Sequence, residues 1–203
     1  MSQYVPATWR WTLRETLVVA VLGAAFAVLY LAWVQVWLVS QAVFGPVTMD
    51  VFMGFWFSAS IVAAAIIRKP GVALMAEVLA AGIEILLGSP AGLGLLVASF
   101  IQGLGAELIF AALGWKHYRL PVLIAAGVGA AVASFVYTWF LYDYGALQPW
   151  LVGSMLAVRI TSGALLAGVA GYLIVEALYR TGVLRGLRID MERRGAGFAA
   201  RAA

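Results

Sequence analysis

The chain has 203 residues, of which 65% are hydrophobic and only 11% charged, with a formal net charge of +4 and no cysteine. A soluble domain of this size cannot hide so many apolar side chains, because a folded domain must show water a polar surface. A soluble globular enzyme is therefore excluded, together with disulfides, thiolate metal sites and cysteine nucleophiles.

The first features in chain order are Tyr4, Trp9 and Trp11, amphipathic rings that suit a membrane interface, beside Arg10 and Arg14. An apolar run over about 15–40 follows, too long for a cleavable signal peptide. Small residues recur along it at four-residue spacing, Ala20 with Ala24 and Gly23 with Ala27, which lets another helix approach closely. Further runs lie at about 50–67, 71–88, 93–115, 120–142 and 149–179. They are separated by Gly45-Pro46, Pro70-Gly71, Ser89-Pro90, Pro121 and Gln148-Pro149, at turns or first helical positions. Backbone groups in lipid must bond within their own segment, and runs such as Ile61–Ile67 do not alternate as barrel strands do. The spans are therefore helices. Gly163, Ala167 and Gly171 stripe the last of them for packing within the chain.

The cations set the orientation. Arg10 and Arg14, Arg68 and Lys69, Lys116 and Arg119, and the six arginines from Arg180 to Arg201 fall on one side of a six-span arrangement. The opposite loops hold only Asp50 and Asp143 near them. By the positive-inside rule both termini are cytoplasmic. The expectation is an all-α membrane protein: one six-helix transmembrane domain over 1–180, then a basic cytoplasmic tail over 181–203 beside anionic lipid.

Four ionisable residues fall inside these spans: Glu77, Glu84, Glu107 and Arg159. Such residues are costly in lipid and mark a site or a pair. One guanidinium neutralises only one carboxylate, so the surplus must be protonated, hydrated or matched by a bound cation. Glu84 lies about four residues, roughly 6 Å, from the outer end of its helix and is the first candidate to hold a cationic substrate. Glu77 lies two turns deeper on the same face, as a second ligand or the partner of Arg159. Arg159 reads as a structural counter-ion. Glu107 has Gly103 one turn before it, where another helix can share a hydrogen bond. Gln102 can donate and accept, which suits the edge of a heteroaromatic ring. Phe52 and Trp56 share a helix face, and Tyr144 and Trp150 lie among the outer aromatics, all able to stack on a flat cationic ring. No GxxxxGK[ST] occurs, and the one histidine, His117, lies in a cytoplasmic loop, so ATP binding by a P-loop and His-based catalysis are absent and no cofactor is expected.

The stretch Ile67-Arg68-Lys69-Pro70-Gly71, then Glu84 followed by Gly88-Ser89, then Gln102-Gly103-Leu104-Gly105-Ala106-Glu107, resembles the YkoE family, over about residues 54–118. These are substrate-binding S components of energy-coupling factor (ECF) vitamin transporters, a class of ABC importer. The resemblance implies a six-helix S-component bundle in the plasma membrane that binds thiamine, or its hydroxymethylpyrimidine moiety, from outside. It implies a transmembrane T subunit, contacted by the small residues Ala20 and Ala24, and cytoplasmic ATPase subunits. Glu84, Gln102 and Glu107 match the family's polar intramembrane positions. The reading is a binding subunit, not an enzyme, with the loops at 41–49 and 143–148 closing the pocket. The rivals are an autonomous proton-coupled carrier of a small cation, with Glu77 and Glu107 as relays, and an assembly subunit whose charges only hold helices together.

Overall fold

A computed structural model of the chain describes residues 10–44 and 48–201; Tyr4, Trp9 and the Gly45-Pro46 break lie outside them. The described residues form helices joined by turns, with no strand: α1 (Leu13–Phe44), α2 (Thr48–Met53), a 3-10 segment (Gly54–Phe57), α3 (Ser58–Ile67), α4 (Val72–Leu86), α5 (Gly94–Ala112), α6 (Leu120–Leu141), a 3-10 turn (Tyr144–Ala146), α7 (Pro149–Ser162), a π-helical segment (Gly163–Val169), α8 (Ala170–Arg180) and α9 (Arg188–Arg201).

Five stretches among them are long and apolar enough to cross a membrane: Leu13–Val43, Thr48–Ile67, Gly94–Ala112, Leu120–Leu141 and Pro149–Arg180. The expected third span is α4, which has 15 residues. That is about 22 Å of helix, against a hydrocarbon core of roughly 30 Å. Two left-handed glycines bound it, Gly71 (φ 80°) and Gly88 (φ 92°). The stretch Thr48–Ile67 is the centre of the bundle, and all ten residues of α3 are buried. A helix enclosed on every side needs no polar face, which is why Ile61–Ile67 reads as unbroken apolar sequence.

Glycines set the helix spacing. A Cβ on Gly105 would lie 2.5 Å from the Gly129 carbonyl oxygen, and one on Gly163 would lie 2.5 Å from that of Gly127. The stripe found at Gly163, Ala167 and Gly171 packs inside the chain, with Gly171 directly against Ile61. Gly163→Ala must therefore push the last span away from α6, since the obstacle is backbone. A loss of about 1–3 kcal/mol is expected, read as a lower melting temperature in detergent.

The basic segments meet at one end of the bundle. The Trp11 indole donates to the Pro70 carbonyl at 3.2 Å, and Lys69 reaches both the Arg10 carbonyl and Glu15 at 2.7 Å. Trp11 is thus a bonded strut of the fold. The stretch from 181 is docked rather than free: Leu184, Leu187 and Ile189 enter the main core. Arg188 donates to the Arg68 carbonyl, Arg68 pairs with Glu192, and Arg193 pairs with Glu176. Gly186 N–H and the Arg194 guanidinium hold the Asp190 carboxyl below its usual range, and the i,i+4 pairs Arg188–Glu192 and Asp190–Arg194 support the helix itself.

Candidate functional site

At the end of the bundle away from the arginines, α1 carries Tyr30, Trp33 and Trp37 on one face, at i, i+3 and i+7. They meet the α2–3-10 segment. The Trp33 ring packs 5.1 Å from Phe52 and 4.6 Å from Phe55, and Tyr30 lies 5.8 Å from Phe55. Trp37 meets Trp56 edge-on at 6.3 Å. Phe52 and Trp56 thus both face α1, on successive turns. Hydrogen bonds fix this wall: Trp33 Nε1 donates to the Phe52 carbonyl at 3.1 Å, and Tyr30 Oη accepts from Ala59 N–H at 2.8 Å. The Trp37 indole N–H is buried and has no partner.

Glu84 lies near the end of α4 and is 1% exposed. Its Oε1 accepts from Ser89 Oγ at 2.9 Å, and its backbone carbonyl accepts from Ser89 N–H. Its Oε2 is buried without any donor. A carboxylate oxygen enclosed and unbonded is costly unless something else meets it. Two turns away on the same face, Glu77 Oε2 accepts from Ser60 N–H at 3.1 Å and Ser60 Oγ at 2.7 Å. Tyr30 lies within electrostatic reach of both glutamates. Gln102 is buried on α5. Its neighbour Gly103 lets α5 touch α4, where a Cβ would lie 3.0 Å from Leu74 Cα and 3.1 Å from Glu77 Cβ. Trp33, Trp37 and Phe55 belong to the outer aromatics of the sequence, whereas nothing in the sequence pattern singled out Tyr30 or Ser60.

Three expectations are corrected by the geometry. Arg159 does not pair with Glu77. Its Nε donates to Asp50 Oδ1 at 2.6 Å and its Nη1 to Thr138 Oγ1 at 2.7 Å. Both charges of the pair are fully buried, and Asp50 belongs to the first turn of α2 rather than to an outer loop. Glu107 does not join the cluster either. Its Oε1 accepts from Gly71 N–H at 2.7 Å and Trp115 Nε1 at 2.6 Å, and its Oε2 from Ala73 N–H at 2.9 Å and, at 3.4 Å, Leu74 N–H. It caps the start of α4, toward the basic end, where helix N–H groups favour an anion. Tyr144 and Trp150 stand apart: Tyr144 packs in a small separate core with Phe135, Val152 and Met155, and Trp150 is 73% exposed. Ala20 and Ala24 remain half-exposed on α1, while Gly23 and Ala27 are buried, Gly23 against Leu79 of α4. Among the described residues no group of three or more His, Cys, Asp or Glu converges to hold a metal ion.

Residues 14–133 match a family model described as "ABC-type cobalt transport system, permease component". A protein of Bacillus subtilis (strain 168) described as "Putative HMP/thiamine permease protein YkoE" is 44% identical over 182 residues, 90% of this chain and 92% of its own length. The crystal structure of an S component of an ECF transporter superposes with a TM-score of 0.90 at 42% identity, covering 96% of this chain and 99% of that one.

Proposed function

The chain belongs to the YkoE family of ECF transporter S components, and from that premise we propose that it captures thiamine, or its hydroxymethylpyrimidine moiety, at the outer face of the membrane for uptake driven by ATP hydrolysed in partner subunits. It is a multi-pass protein of the plasma membrane. α4 then makes a sixth crossing, since Gly71 begins it at the basic end and Gly88 closes it at the other. Both termini lie in the cytoplasm, where the basic end belongs by the positive-inside rule, and residues 1–180 form one domain.

The observation that carries the ligand is Glu84. It is enclosed, one oxygen is held by Ser89, and the other has no donor. Thiamine brings a fixed thiazolium charge and an aminopyrimidine whose amine can donate to that oxygen. Trp33, Trp37, Phe52 and Trp56 supply ring faces for the cation, contributing on the order of 1–2 kcal/mol when desolvated, and Gln102 supplies a group that both donates and accepts. A T subunit docked on α1 along Ala20 and Ala24, and cytoplasmic ATPases, complete the transporter. This subunit is then a binding protein without catalysis of its own. An autonomous carrier is less well supported, because the similar solved structure is an S component of an ECF transporter.

Glu84→Gln keeps the shape and removes the charge. It is expected to weaken thiamine binding by more than tenfold in a calorimetric titration, with little change in melting temperature. Unchanged affinity would overturn the assignment. Hydroxymethylpyrimidine carries the same amine, so the same variant should weaken its binding to a similar degree.

A further inference from the structure

The basic end holds cations that the fold does not neutralise. Among the described residues there, Glu15 pairs with Lys69, Glu176 with Arg193, Asp190 with Arg194, and Glu192 with Arg68 and Arg188. Arg14 and Arg185 have no carboxylate partner. Instead, Arg14 Nη2 donates to the Arg185 carbonyl at 2.5 Å. The connection from α8 to α9 is wound by two left-handed glycines, Gly182 (φ 78°) and Gly186 (φ 75°), and each lies under one of the guanidinium groups. A Cβ on Gly186 would come 2.8 Å from Arg14 Nη1, and one on Gly182 would come 3.3 Å from Arg185 Nε. The carboxylate within electrostatic reach of Arg185, that of Asp190, is already bonded to Gly186 N–H and Arg194. Two exposed guanidinium groups are therefore gathered on one turn, with only the Asp190 carboxylate, shared with Arg194, within reach.

The face of α1 beyond Arg14 is bare apolar surface. Leu17, Val21, Ala25 and Val28 follow Arg14 at i+3, i+7, i+11 and i+14, on the same side of the helix. All are exposed, Leu17 at 56%, Val21 at 66% and Val28 at 59%. An apolar ladder more than two turns long, ending in two unpaired guanidinium groups at the basic end, matches the chemistry of one molecule class: an acyl chain joined to a phosphate. We propose that Arg14 and Arg185 form a headgroup site for an anionic phospholipid, whose acyl chain lies along Leu17, Val21 and Val28. The site is independent of the thiamine reading, since it shares no residue with the cluster around Glu84. The ladder distinguishes the lipid from free phosphate, which would need only the two arginines.

The test uses the full-length protein in a neutral detergent, titrated with phosphatidylglycerol, phosphatidylcholine or inorganic phosphate, with bound lipid counted by native mass spectrometry. The wild type should prefer phosphatidylglycerol to phosphatidylcholine. The double substitution Arg14→Gln/Arg185→Gln should weaken phosphatidylglycerol binding at least fivefold, leaving phosphatidylcholine binding and thiamine affinity unchanged. Arg185→Gln alone keeps the bond from Arg14 to the carbonyl and should show part of that loss. Arg119→Gln, at the start of α6, should show none. An unaltered phosphatidylglycerol affinity in the double variant would overturn the site. So would an equal loss in Arg119→Gln, which would mean diffuse charge, or competition by inorganic phosphate at equal strength, which would mean a bare anion site. An equal loss for both lipids would mean that the turn had simply come apart, and would count against the site as well. If phosphatidylglycerol binding persists while co-purification with the T subunit is lost, the arginines serve a protein partner and the proposal fails.

Discussion

Arg159→Met is expected to cost about 3–5 kcal/mol of stability, the largest loss expected from a single substitution in this chain. The guanidinium is fully buried, and so is the Asp50 carboxylate it neutralises. Asp50 Oδ2 already has no hydrogen bond, so removing the arginine leaves an enclosed carboxylate with nothing at all. Thr138 Oγ1 and Ser134 Oγ lose the same partner. The penalty comes from the stranded charge rather than from a lost contact, so Asp50→Asn in the same chain should restore much of it. Thermal unfolding in detergent, followed by tryptophan fluorescence, reads both variants. Equal melting of Arg159→Met and wild type would show that the pair contributes nothing. The pair also bears on ligand binding. One turn further on, Ser162 Oγ accepts from Gly54 N–H at 2.9 Å and donates to the Val51 carbonyl at 2.6 Å. Arg159 and Ser162 thereby clamp the end of α7 to the segment that carries Phe52, Phe55 and Trp56.

That clamp was not legible in the sequence, for a physical reason. Asp50 stands at the edge of an apolar run, where a carboxylate usually reaches water, and only the packing of α2 onto α7 draws it inside. Pairing between residues 109 positions apart leaves no local pattern. What the sequence did carry was whatever depends on one helix or one loop: the breaks at Pro70-Gly71 and Ser89-Pro90, the gathering of arginines at one end, Glu84 and Glu77 on one face, and Phe52 with Trp56 facing together. Gly103 also signalled its close approach, though what it lets α5 reach is α4 at Leu74 and Glu77. Tyr144 and Trp150 carry the same composition as the site aromatics, and only the turn at Tyr144–Ala146 decides that one enters a separate core and the other stays outside. The adjoining 3-10 and π segments, Gly54–Phe57 and Gly163–Val169, are likewise set by close packing across the bundle. Gly54 has no room for a Cβ against Ser162.

Glu107→Gln should lower stability by about 3 kcal/mol while leaving thiamine affinity of the folded protein within about twofold. α4 begins at Gly71, a residue with no side chain to cap the helix. Glu107 supplies the missing acceptors from α5, taking the N–H groups of Gly71, Ala73 and Leu74 as well as the Trp115 indole. A glutamine keeps one carbonyl oxygen and turns the other acceptor into a donor. It therefore leaves at least one of these N–H groups facing another donor, at roughly 1–3 kcal/mol for each buried group left unpaired. It also removes the negative charge from the positive end of the helix, a further loss of about 0.3–1 kcal/mol. Thiamine bound at Glu84 would sit at the other end of α4, about 20 Å along the helix from Gly71, so loss of the cap should be felt as a lower melting temperature rather than as weaker binding. Glu84→Gln should give the mirror image, with melting nearly unchanged and affinity lost. Measured side by side, the two variants separate a carboxylate that builds the helix from one that meets the ligand; weakened binding with normal melting in Glu107→Gln would return that residue to the binding site.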